Sequence, residues 1–169
     1  MEAAVSDSLE NLREENGGSG VEFCACSGEQ PIKLMQALSK NPIHCMTCNR
    51  SAQLDGLGLD EGTVQLVVRY RNVFDAIDRL WLDSRPYEEW ARAQLADLTS
   101  AVNTMGREAQ RALDEFRRCF YWCFQDEDAP DYAPRSTCPG CDGELRMYAD
   151  GIRDEVVCDA CSLVLAGWP

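Results

Sequence analysis

Four cysteines near the C-terminal end constrain this chain more than any other feature. They read Cys138-Pro139-Gly140-Cys141, then sixteen intervening residues, then Cys158-Asp159-Ala160-Cys161. Two residues between cysteines let one tight turn bring both sulfurs to a single ion, and glycine permits the backbone angles such a turn needs. A borderline-soft divalent cation with four tetrahedral ligands matches that donor set, which makes zinc the expected metal. Disulfides and an iron–sulfur cluster are the alternatives. Leu145 to Tyr148 and Glu155 to Val157 read as two strands around a turn at Asp150-Gly151. So small a hairpin cannot bury enough apolar surface to fold alone, and a structural metal supplies what its core lacks.

A second unit lies near the other end. Cys24-Ala25-Cys26 is followed by eighteen residues and then by Cys45-Met46-Thr47-Cys48. The C-x-C spacing is tighter than C-x-x-C, yet two such sulfurs can share an ion, so a second structural zinc is expected on Cys24, Cys26, Cys45 and Cys48. His44 is the only histidine. It adjoins Cys45 and could replace one thiolate, although an ordinary histidine beside a metal knuckle is the better reading. The remaining cysteines, Cys119 and Cys123, are read on one face of a third helix beside Phe116, Phe120 and Phe124. There they serve as packing rather than as a redox pair.

Compartment decides how cysteines are used. The start, Met1-Glu2-Ala3-Ala4-Val5-Ser6-Asp7, has neither a basic opening nor an apolar run of signal-peptide length. No stretch of about 18 apolar residues is present to span a membrane. The expected setting is a reducing cytoplasm, with no membrane partner. The formal charge of −13 sits mostly at the ends: residues 1–30 hold seven acids against one base, and residues 125–169 ten acids against three arginines. Nucleic acid is gripped mainly by Lys and Arg neutralising phosphates, so this balance disfavours it as a partner. Arg107, Arg111 and Arg118 share one side of the third helix, but Asp114 falls among them and i,i+4 pairing accounts for the set equally well.

Between the cysteine units the chain reads as helical. The expected organisation is an acidic tail over 1–20, an N-terminal zinc unit over 21–60, a helical domain over 61–124, a linker over 125–137 and a C-terminal ribbon over 138–169. Within the first unit, Pro31 to Leu38 reads as a helix with Ile32, Met35 and Leu38 on one face. In the centre, Val64, Val67, Val68, Phe74, Ile77 and Trp81 recur at helical spacing. Ser84 reads as the cap of a second helix, and a third starts near Ser100 to Asn103 and continues to Phe120. Gly106 inside the third is a mild weakness. The fold class that follows is mainly α with small β, three packed helices flanked by the two zinc units.

Trp81-Leu82-Asp83-Ser84, Tyr87-Glu88 with Trp90-Ala91, Val102-Asn103 with Gly106, Phe120-Tyr121-Trp122 and Cys138-Pro139-Gly140-Cys141 resemble a family of bacterial zinc-ribbon proteins of unestablished function, for which nucleic-acid binding has been suggested. The similarity covers roughly residues 65–165 and does not extend to the first cysteine unit. It implies a bacterial cytoplasmic zinc protein and supplies no mechanism.

Catalysis is not expected. Four cysteines leave no open position on a metal, whereas a catalytic zinc keeps one. A single histidine limits proton-transfer assemblies, and neither a phosphate-binding glycine loop nor a dinucleotide fingerprint is present. No catalytic or cofactor-binding residue is assigned. The function expected is a non-enzymatic interaction or regulatory module for a protein partner, with nucleic-acid binding as the alternative.

Overall fold

The structure, a computed structural model, describes residues 9–12, 23–27, 29–35, 40–130 and 132–167. Apart from 9–12, the acidic tail lies outside the described residues. Leu12 is fully buried, and the carbonyl of Asn11 accepts a hydrogen bond from Arg71 at 2.6 Å.

A six-stranded mixed sheet is the frame of the molecule. Its strands are β1 (Ile32–Leu34), β2 (Ile43–Cys45), β3 (Cys119–Trp122), β4 (Arg146–Met147), β5 (Glu155–Cys158) and β6 (Leu163–Ala166), in the order β2-β1-β3-β6-β5-β4. β1 and β2 form an antiparallel hairpin. β4, β5 and β6 form an antiparallel meander. β3 joins the two groups, running parallel to β1 on one side and to β6 on the other.

Three helices, α1 (Glu61–Asp83), α2 (Glu88–Ala96) and α3 (Ala101–Asp114), are inserted between β2 and β3. Asp60 caps α1 by accepting from the Thr63 amide at 2.7 Å, and Ser100 caps α3 by accepting from Asn103 at 3.3 Å. Ser84 does not cap α2. Its hydroxyl donates back to the Leu80 carbonyl, closing α1 instead.

The helices cover one face of the sheet. Val64, Val67, Tyr70 and Phe74 of α1 and Val102, Ala109 and Leu113 of α3 share a core with Ile32, Leu34, Cys119, Tyr121, Leu163 and Leu165. A smaller cluster of Met46, Phe120, Tyr148, Val157 and Val164 lies apart from it, with Trp122 packed alongside. Both neighbours of Tyr121 along β3 thus belong to a different cluster from Tyr121 itself, as strand alternation requires.

This corrects the fold class expected from the sequence. The molecule is not mainly α with a three-helix centre between two small flanking units, because one sheet runs through both cysteine units and the helices pack on it. Two misread segments explain the error. β3 is apolar on both faces because both are covered, so it lacks the alternation that marks a half-exposed strand. Phe116 and Phe120 then mimic a helical i,i+4 pair. In fact α3 ends at Asp114, whose carboxylate accepts from the Cys119 amide at 2.7 Å and so turns the chain into β3. The second segment is Ile32–Leu34, a strand rather than a helix. The Ile32 amide donates to the Arg118 carbonyl and the Met35 amide to that of Pro42, each within 2.9 Å. Pairing with neighbouring strands overrides the local helical pattern. The rest of that expected helix, 36–38, lies outside the described residues.

Candidate metal centres

Strand ends position the cysteines. Cys45 closes β2 and Cys158 closes β5, while Cys48 and Cys161 follow in the tight turns beyond them. Cys24 is brought alongside by its amide, which donates to the Ser51 carbonyl at 2.8 Å. The Cys138 amide donates to the Gly143 carbonyl at 2.8 Å, folding Cys138 and Cys141 into one loop.

Each C-x-x-C turn ends in the same unusual backbone state. The residue after the second cysteine has positive φ in all three cases: 55° at Asn49, 57° at Asp142 and 52° at Ser162. That left-handed step costs a non-glycine residue energy, and Asn and Asp tolerate it better than most. Its use at three equivalent positions marks these turns as built to present sulfur.

The sulfurs converge. The ligand atoms of Cys24, Cys26, Cys45 and Cys48 all lie within 4.8 Å of one another, and so do those of Cys138, Cys141, Cys158 and Cys161. A tetrahedral zinc thiolate with bonds of about 2.3 Å has sulfur–sulfur edges of about 3.8 Å. Sγ of Cys141 stands 3.7 Å from Sγ of Cys158. Amides also point at sulfur: Gly140 donates to Cys138 Sγ at 3.3 Å and Cys26 to Cys24 Sγ at 3.4 Å. Both groups therefore fit one tetrahedral ion each. A Cβ at Gly140 would stand 3.3 Å from Cys161 Sγ, so the backbone there approaches the cluster as closely as a side chain would allow.

The thiols do not titrate alike. Burial pushes Cys24 and Cys161 up to about 12. The Gly143 amide, with the neighbouring thiols donating to it, holds Cys141 below the ordinary thiol value. Within the C-terminal group one thiol is thus held low and another high. A cation resolves that difference by replacing the protons.

Two arginines brace the C-terminal group from outside. Arg107 on α3 donates to the carbonyls of Cys161 at 2.5 Å and Ser162 at 3.1 Å. Arg118 donates to the Asp159 carbonyl at 3.1 Å and the Ser162 hydroxyl at 3.0 Å. Sequence spacing offers both for i,i+4 ion pairing. Arg118 does approach Asp114 at 3.4 Å, but both guanidiniums reach the Cys158–Ser162 turn, over 40 residues away in sequence.

His44 lies outside both groups. Its Nδ1 bonds with the Asn49 carbonyl at 3.1 Å, so the imidazole holds the left-handed corner of the Cys45–Cys48 turn. Cys119 and Cys123 are buried in and just after β3. Four steps along extended chain separate their Cα atoms by roughly 13 Å, beyond disulfide reach. Burial raises both thiols, Cys123 to about 12. They pack in the core, in and just after a strand and not on the helix expected from the sequence.

The bond between Asn103 and Tyr121 has no signal in the sequence. Asn103 is fully buried; its amide donates to the carbonyls of Leu95 and Asp97, both at 2.8 Å, and its oxygen accepts from the Tyr121 hydroxyl at 2.6 Å. Asn103, a residue of the family resemblance, thus ties α2 and α3 to β3.

The fold and its sites define a protein with two four-cysteine centres, each able to hold one metal ion, on a single sheet with a helical cover. No family model, curated protein or solved structure matches the chain. Among the described residues, no helix is long and apolar enough to cross a membrane.

Proposed function

We propose that this chain is a non-catalytic zinc protein in which two zinc ions hold the sheet together and the helical insert meets a protein partner. The observation that carries the reading is the closure of both ligand sets. Each group offers four sulfurs within 4.8 Å of one another, enough to fill all four positions of a tetrahedral ion and leave none for water or substrate. When bound, each zinc ion would replace the thiol protons and lock two cysteine turns together at one point. Cysteine turns, amide-to-sulfur hydrogen bonds and the Arg107 and Arg118 braces all serve that locking.

The partner surface is the corner between α1 and α2. Leu82, Tyr87 and Trp90 are 61 %, 57 % and 50 % exposed, within nine residues of one another in sequence. Exposed aromatics of this kind are over-represented at protein interfaces. Nucleic acid is the weaker reading, since Arg107 and Arg118 are engaged with the cysteine turn and the chain is strongly acidic.

Elemental analysis with native mass measurement, on chain purified under reducing conditions, tests the metal reading: two zinc ions per chain are expected, and fewer would refute it. A photoreactive side chain at position 90 tests the surface. It should capture a discrete partner that the same group at position 111, exposed on the outer side of α3, does not. Equal capture from both positions would sink the assignment.

A further inference from the structure

The two cysteine groups stand on one sheet, and the register connects them residue by residue. Cys45 pairs with Ile32 and Ile32 with Cys119. Further along β3, Tyr121 pairs with Leu163, and Leu163 pairs with Cys158. Neither unit is large: β1 and β2 have three residues each, and β4 only two. Strands so short are not stable by themselves.

Contacts outside the ligand sets also join the units. Lys33 of β1 and Glu155 of β5 form an ion pair that reaches across β3 and β6, with the two side chains 0 % and 2 % exposed. The Lys33 ammonium also lies 5.2 Å from the Trp122 ring centre. The Ile152 amide donates at 2.9 Å to the carbonyl of Thr47, inside the Cys45–Cys48 turn. A Cβ at Gly151 would stand 3.3 Å from the Met46 carbonyl, so the loop before β5 lies directly on that turn.

The ion pair makes the dependence mutual. A buried charge without its partner is strongly unfavourable, whereas the pair together is tolerated. An N-terminal unit folded alone would leave Lys33 unpaired, and a C-terminal unit folded alone would leave Glu155 unpaired. We infer that the two metal sites are thermodynamically coupled, so that filling either one raises the affinity of the other. This rests on the zinc reading of both groups. Linkage makes the effect reciprocal and equal in both directions.

The test is a zinc titration of the full metal-free chain under reducing conditions, against a chelator of known affinity. Wild type is compared with Cys24→Ser/Cys26→Ser and with Cys138→Ser/Cys141→Ser, each of which retains one complete site. Coupling predicts that the overall constant for two zinc ions in wild type exceeds the product of the two single-site constants by about tenfold or more. A ratio of one, with two zinc ions bound, overturns the coupling alone. A wild type that takes up fewer than two refutes the zinc reading and the coupling with it. Because a site-deleted chain can lose the sheet altogether, Lys33→Ala is measured too, with all eight ligand cysteines intact. Its overall constant should fall about tenfold or more, and an unchanged constant overturns the inference.

Discussion

Gly106→Ala separates what the sequence predicts from what the structure predicts by the sign of the effect. On an exposed helix the substitution would stabilise the chain by about 1 kcal/mol, because alanine is the better helix former. In this fold the added methyl has no room. Its Cβ would stand 2.4 Å from Cε2 of Tyr121, 2.6 Å from Cε2 of Tyr70 and 2.7 Å from the Tyr121 hydroxyl oxygen. Both rings are buried and stack edge to face, with centroids 5.8 Å apart, so neither has space to retreat. Overpacking of this kind costs about 1–3 kcal/mol. Displacing Tyr121 also breaks its bond to Asn103 and strands a buried amide oxygen, at a further cost of about 1–3 kcal/mol. Offsetting the helix gain leaves a net destabilisation of about 3 kcal/mol, which for a chain of this size lowers the melting temperature by about 6–12 °C. Thermal and urea unfolding in saturating zinc, followed by circular dichroism, measures it. A Gly106→Ala chain as stable as wild type, or more so, would refute the packing described around Tyr121.

The remaining predictions address the ion pair, the arginine brace and the thiols. Lys33→Met alone should destabilise by about 3–5 kcal/mol in urea unfolding, by leaving Glu155 buried without its partner, while Lys33→Met/Glu155→Leu should recover most of that loss. Arg107→Ala removes two charge-assisted hydrogen bonds to the Cys161–Ser162 backbone; it should cost about 1.5–3 kcal/mol and speed zinc transfer from the C-terminal site to a chelator. Zinc affinity should rise with pH between 6 and 8. Cys24 and Cys161, pushed up to about 12 in the metal-free fold, keep their protons throughout that range, so binding must displace them. Chelator competition at three pH values reads this directly, and an affinity independent of pH would contradict the thiol environments described above.

Spacing made the cysteine groups legible. C-x-x-C is a local signal, since the turn that joins two sulfurs is complete within a few residues, and all three such turns close on a left-handed residue. The helical cover was legible for a similar reason, because Val64, Val67, Phe74 and Trp81 mark an amphipathic face that needs no distant information. The sheet was not. Its strands are two to four residues long, too short to establish a period, and β3 is apolar on both sides. The roles of Lys33, Asn103, Arg107 and Arg118 were equally hidden. Each is defined by a partner far away in sequence or by burial that composition does not reveal.

By itself, then, the sequence determined the two sulfur-rich turn systems, the amphipathic insert between them and the acidity of the ends, all of which depend on neighbours along the chain. Only the tertiary structure decided that both systems share one sheet, because β3 is ordered simultaneously by β1 on one side and β6 on the other. The same assembly turned a lysine and a glutamate 122 residues apart into a buried pair. Such contacts arise from packing across the fold, and no local pattern encodes them.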